Sequence, residues 1–327
     1  MQKEPSKALI IAAFAALYII WGSAYLGILY ALQTIPVFMM VAIRFLIAGA
    51  LLLGWCLMKG EKLPSLKSFG VIGIGGLLML FIGNSAVVWA EQHVSSGIAA
   101  IIVASVPLWF VILDKRQWSY YFSNKGVIVG LLIGFAGVLL LFAGKGSLDI
   151  VGNKMHLISF FVLTVGAVSW AIGSLYSKYK SVEGSTAVKA AIQMLAAGFA
   201  ASIVSIAKGE HEGFSFDSVS TVSLAALIYL IVMGSMVGYL AYIWLLSVRP
   251  PSLVGTYAYV NPIVAVFLGW LIATEAISAQ QVVALSVILA GVLLVNLSKE
   301  KKRLNKDKKD AIEITNIEAV KTGTHVR

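Results

Sequence analysis

The sequence predicts an all-α membrane protein of ten transmembrane helices in two inverted five-helix repeats. Three observations carry that prediction. Of 327 residues, 59% are hydrophobic and only 12% are charged, with a mean hydropathy of +0.91. That much apolar surface cannot be hidden in a soluble domain of this size, and it is the reverse of the disorder signature. Next, apolar runs long enough to cross roughly 30 Å of hydrocarbon (about 20 residues of helix) recur along the chain. Finally, the two halves share an ordered set of residues at a nearly constant offset.

Ten apolar runs lie near 8–31, 35–58, 67–90, 94–114, 124–143, 154–177, 186–208, 219–245, 250–273 and 278–297. Each is expected to be a helix, because hydrocarbon leaves no water to satisfy an exposed strand edge. The first run is too long for a signal-peptide core and lacks a small-residue cleavage site, so it counts as a span. The chain then divides into a short N-terminus (1–7), a first repeat (8–143), a second repeat (154–297) and a charged tail (298–327).

Charge placement predicts orientation. The net charge is +10. With the N-terminus inside, 21 of the 25 Lys and Arg residues fall in cytoplasmic segments, and only Lys145, Lys154 and Lys208 fall in outer loops. The bias of basic residues toward the cytoplasm therefore places both termini inside, which requires an even number of spans. No basic stripe or nucleic-acid motif accompanies the charge, so no nucleic acid partner is expected. The tail, with its run Lys299 to Asp310, reads as a stop-transfer and orientation signal.

The repeat is read residue by residue. Gly83, Ala86, Trp89, Pro107 and Val111 recur 155 positions later as Gly238, Ala241, Trp244, Pro262 and Val266. Residues 136–140 recur as 290–294, at an offset of 154. Trp21, Leu46, Ala48 and Gly49 recur 149 positions later as Trp170, Leu195, Ala197 and Gly198. Each half has five spans, and an odd number makes the second half enter the membrane from the opposite side. Inverted repeats enclosing a midplane site are the architecture of secondary transporters.

Several stretches resemble the drug/metabolite transporter superfamily, and in particular its ten-span EamA family. They are Tyr18 to Ser23, Arg44-Phe45, Gly83-Asn84, Ala90-Glu91-Gln92, Ser96 to Ala100, Pro107, and Tyr257 to Ala265 continuing to Glu275. The resemblance covers residues 8–297. It implies two inverted five-helix repeats around a central cavity. It also implies export of amino acids, other metabolites or toxic compounds from a bacterial-type plasma membrane.

Candidate site residues follow from polarity in apolar helices. Arg44 lies about nine positions into span 2, where a charge costs at least ~2.5–3.5 kcal/mol and must face the bundle interior. It reads either as the attractor of an anionic substrate group or as a structural pin on helix carbonyls. Its repeat mate is Gln193. Asn84 and Asn261 are amides inside spans, and each needs hydrogen-bond partners. Pro107 and Pro262 remove backbone donors at equivalent positions and are the candidate hinges. Trp21 and Trp170 lie deep and are repeat mates, which makes them candidate cavity walls. Tyr257 and Asn261 share a helix face by their i, i+4 spacing, whereas Tyr259 points elsewhere. Tyr25 and Tyr239 complete the candidate substrate-binding set.

Glu91, His93 and Glu275 sit at outer span ends. Glu91 is the candidate for proton coupling, against the alternative of a solvated loop carboxylate. Gly126, Gly130 and Gly134 form a small-residue ridge suited to close packing, within the chain by default or between chains. The single cysteine, Cys56, allows no internal disulfide, and no metal-ligand set is present. No phosphate-binding loop, HExxH or GxSxG motif occurs, so neither ATP-driven transport nor an enzyme is expected. The expected partners are a small-molecule substrate, the bilayer and a coupling proton or other ion, with the protein a monomer or homodimer and no cofactor. The competing reading is a non-transporting sensor or scaffold on the same fold.

Overall fold

The computed structural model describes residues 5–94, 96–142, 154–180, 182–273 and 278–298. Glu275, Lys145 and the charged tail lie outside the described residues.

Among those residues the ten predicted runs are all helical. Span 1 is Lys7–Ala31, span 2 Val37–Met58 and span 3 Leu66–Ala90. Span 4 is broken into Ser96–Val103 and Val106–Leu113. Span 5 is Lys125–Phe142, span 6 Lys154–Tyr179, span 7 Thr186–Ala207 and span 8 Thr221–Val248. Span 9 is broken into Pro251–Val254 and Tyr257–Ala273, and span 10 is Ala279–Ser298. Serines cap several starts: Ser6, Ser65, Ser185 and Ser220 each accept from the backbone N–H three residues on, which satisfies an otherwise orphaned donor.

Two departures from plain helices matter for the site. Spans 3 and 8 contain π-helical segments, Leu77–Asn84 and Leu230–Tyr239. Their last residues are repeat mates at the offset of 155. A π segment shifts the backbone out of register and frees carbonyls. Here those carbonyls are used: Ser169 donates to Leu78 O at 2.8 Å, and Trp21 Nε1 donates to Gly234 O at 3.1 Å. Span 4 ends where the sequence placed its end, near residue 114. The chain turns at Asp114, and a short helix, Trp118–Ser123, leaves span 4 at 67°. Its Trp118 and Phe122 are exposed, as suits a segment at a membrane surface.

The halves pack through symmetric glycine contacts. Spans 2 and 7 cross where Gly49 meets Leu195 and Gly198 meets Leu46; a Cβ on Gly198 would lie 2.8 Å from Leu46 N. Both pairs are repeat mates. Spans 5 and 10 approach as closely, with Gly291 against Gly134 and Gly130. The ridge Gly126, Gly130 and Gly134 is thus filled from within the chain, by Ser298, Gly291, Val295 and Tyr259.

Candidate functional site

A cavity of about 90 Å³ lies between the halves, with room for several waters. It starts at midspan and reaches Ile28 of span 1 and Val87 of span 3, each one turn short of its helix end. Of the candidate substrate-binding residues, eight line it: Trp21, Tyr25, Arg44, Asn84, Trp170, Tyr239, Tyr257 and Asn261. They come from six spans.

Arg44 is 5% exposed. Its Nε donates to Ser235 Oγ at 2.8 Å, and its guanidinium lies 5.0 Å from the Phe45 ring centre. Its Nη1 is buried with no partner, and no carboxylate among the described residues offsets the charge. The same orphaning affects Asn84 Oδ1 and Asn261 Oδ1, both on cavity-lining residues. A buried polar atom left unpaired costs ~1–3 kcal/mol. One donor of a cation and two amide acceptors therefore stand unsatisfied around one space.

Beside this polar group stands an aromatic box. Trp21 meets Tyr257 at 4.8 Å and Tyr242 at 5.2 Å between ring centres, and Trp170 meets Tyr242 at 5.4 Å. Tyr242 is held rigidly: Trp170 Nε1 donates to its hydroxyl at 2.9 Å, and Ser174 Oγ lies 2.6 Å from it. Edge and tilted ring contacts of this kind contribute ~0.5–1.5 kcal/mol each beyond burial. Gly83 lets Trp170 pack on span 3, and Gly238 lets Trp21 pack on span 8.

Gln193 is brought near but not into the cavity. It stands behind Tyr239, accepting from that hydroxyl at 2.9 Å and donating to Ser177 Oγ at 2.9 Å. Pro107 is the second residue of Val106–Leu113, directly after the break in span 4. Pro262 lies inside Tyr257–Ala273, past the break in span 9. Tyr259 turns away from the cavity and donates to Leu131 O at 3.0 Å. Glu91 is only half-buried as a residue, yet its Oε1 is enclosed without a partner, and burial pushes its carboxyl up to about 8.

At the opposite end of the bundle a buried acidic residue, not among the sequence candidates, joins several helices. Asp114 is 2% exposed. Its carboxylate accepts from Tyr179 at 2.9 and 2.8 Å and from Tyr121 at 3.4 Å, joining spans 4 and 6 and the short helix. Next to Tyr179, Lys178 donates to Leu246 O and Arg249 O at the end of span 8. Tyr18 and Thr256 share a hydrogen bond of 2.8 Å that ties span 1 to span 9. The available signal was a lone acidic residue closing a long apolar run, immediately before Lys115-Arg116.

The EamA-like transporter family matches residues 7–143 and 157–297. The inner membrane transporter YedA of Escherichia coli K12 is 42% identical over 289 residues, covering 88% of this chain and 90% of its own length. The WAT1-related protein At3g02690 of Arabidopsis thaliana is 26% identical, covering 85% of this chain and 67% of that one. A crystal structure 18% identical in sequence superposes with a TM-score of 0.72, covering 89% of this chain and 98% of the other. This protein is accordingly a multi-pass membrane transporter, and it belongs to the EamA-like transporter family.

Proposed function

We propose that this protein is a secondary transporter that exports a small organic metabolite bearing a carboxylate or comparable anionic group, by alternating access. The observation that carries the reading is the unpartnered Nη1 of the buried, uncompensated Arg44 beside an aromatic box. Charge-assisted bonds to a carboxylate are about twice as strong as neutral ones, and burial strengthens them further. Asn84 and Asn261 present acceptors suited to an amine or hydroxyl on the same molecule. Trp21, Trp170 and Tyr257 enclose its apolar part.

Both termini are cytoplasmic in this reading, because 21 of the 25 basic residues then lie inside. The cavity opens outward and the Asp114 cluster is the closed cytoplasmic gate. Pro107 and Pro262 act as hinges beside the breaks in spans 4 and 9. Glu91 carries the coupling proton, and the unit is a monomer or homodimer in the bacterial inner membrane. A metabolite screen by thermal shift on purified protein tests the substrate class. Carboxylate-bearing compounds should raise the melting temperature in a saturable way, and Arg44→Gln should abolish that rise. Equal stabilisation of both proteins by neutral or cationic compounds would contradict it.

A further inference from the structure

We infer that the groove between the ends of spans 4 and 6 is a headgroup site for an anionic phospholipid. The groove holds about 500 Å³ and lies on the outside of the closed end. Its floor is Leu113, Ile172 and Leu175, and its walls are Tyr176 and Tyr179. Arg116 and Lys180 stand over it, each on a tyrosine: the Arg116 guanidinium lies 4.7 Å from the Tyr179 ring centre, and Lys180 Nζ 5.9 Å from that of Tyr176. Both cations are exposed.

Depth and charge select the occupant. The groove sits where span 4 ends and the chain turns off at 67° into a short helix whose Trp118 and Phe122 are exposed. This is the level where hydrocarbon gives way to headgroups. A groove with an aliphatic floor at that level is filled by an acyl chain, because leaving it to water would expose apolar surface. Two cations at its polar lip complement a phosphodiester, and basic pockets between transmembrane helices at this leaflet are recognised headgroup sites. The guanidinium stands over its tyrosine ring and can bind phosphate oxygens in pairs.

The location gives the lipid a consequence. Tyr179 has two roles at once: its ring carries Arg116, and its hydroxyl donates to both oxygens of Asp114. A lipid held by Arg116 therefore presses on the ring that keeps the end closed. The choice of leaflet rests on the proposed orientation with both termini cytoplasmic, whereas lipid binding at the groove is independent of the cargo.

The test uses the full-length protein in mixed micelles. Phosphatidylglycerol should raise the melting temperature by several degrees and phosphatidylcholine should not. The double variant Arg116→Gln, Lys180→Gln should lose more than half of the phosphatidylglycerol shift. A control double variant with equal charge loss at the same end, Lys62→Gln, Lys67→Gln, should keep it. Soluble glycerol phosphate should give no shift in any protein. The inference is overturned if the groove variant keeps the full shift, if the control loses as much, or if glycerol phosphate reproduces the effect. A groove variant that fails to fold is replaced by Arg116→Gln alone, read by competition of phosphatidylglycerol against a fluorescent anionic lipid; unchanged competition overturns the inference as well.

Discussion

Trp21 and Trp170, repeat mates from opposite halves, meet edge to face at the centre of the bundle with ring centres 5.5 Å apart. Each also packs on the equivalent glycine of the other half, Trp21 on Gly238 and Trp170 on Gly83. The pseudo-two-fold relation seen in sequence is therefore an interlocked contact. The two indoles differ in one respect: Trp21 bonds a π-segment carbonyl, whereas Trp170 bonds the Tyr242 hydroxyl.

That difference predicts unequal damage from equal substitutions. A Cβ on Gly238 would lie 2.6 Å from Trp21 Nε1, and one on Gly83 3.1 Å from Trp170 Cε3. Overpacking of this kind typically costs ~1–3 kcal/mol. Gly238→Ala should destabilise more than Gly83→Ala and should disturb the Trp21–Gly234 bond. Thermal melts of the two variants in detergent check the order, and a Gly238→Ala protein as stable as wild type would contradict it.

Glu91 predicts a pH dependence. Its folded-state carboxyl is raised to about 8 by burial, above the ordinary value of roughly 4.3. A raised value means the protonated form is favoured in the folded protein. The stabilisation is complete below about pH 4, and it is lost as pH rises from there through about 8. Glu91→Gln should flatten the melting-temperature profile across that window. A wild-type profile that is already flat from pH 5 to 9 would refute the assignment.

The Asp114 cluster predicts directional opening. Asp114→Asn weakens the bonds from Tyr179 and Tyr121, and a hydrogen bond to a charged group contributes about 1.5–3 kcal/mol. Val254 is fully buried in the segment Pro251–Val254 that packs on span 4, so Val254→Cys is a suitable reporter; the native Cys56 is buried and stays silent. Asp114→Asn should increase thiol labelling of that reporter from the closed end at least threefold. Unchanged labelling in a folded protein would show that Asp114 does not govern the end.

Gln193 predicts a positioning effect. It holds Tyr239 without lining the cavity itself. Gln193→Leu leaves the buried Tyr239 hydroxyl with only the weak acceptor Met79 Sδ at 3.9 Å, for a loss of about 1 kcal/mol or more. Stability should fall, and affinity for the cargo should drop several-fold without the total loss expected of Arg44→Gln. Binding isotherms for the two variants separate these outcomes.

Legibility in sequence followed the source of each constraint. The ten spans were readable because the bilayer imposes length and apolarity on every helix independently of its neighbours. The cavity walls were readable where a polar or aromatic residue interrupted that apolarity, as at Arg44, Asn84 and Trp170. The π segments were not, because they depend on side chains such as Ser169 and Trp21 reaching across from another span. Gln193 showed its polarity but not its partner. Asp114 was hidden because one acidic residue at a span end has the same pattern whether it is solvated or locked between two tyrosines.

Binding of an anionic cargo group by Arg44 in an alternating-access cavity is open to direct measurement. Counterflow in proteoliposomes loaded with a carboxylate-bearing metabolite found in the thermal screen tests it most directly. Exchange should be saturable, stimulated by cargo on the opposite side, lost in Arg44→Gln at normal protein level, and unaffected by Lys62→Gln. Exchange by Arg44→Gln at the wild-type rate, or flux that never saturates, would contradict it.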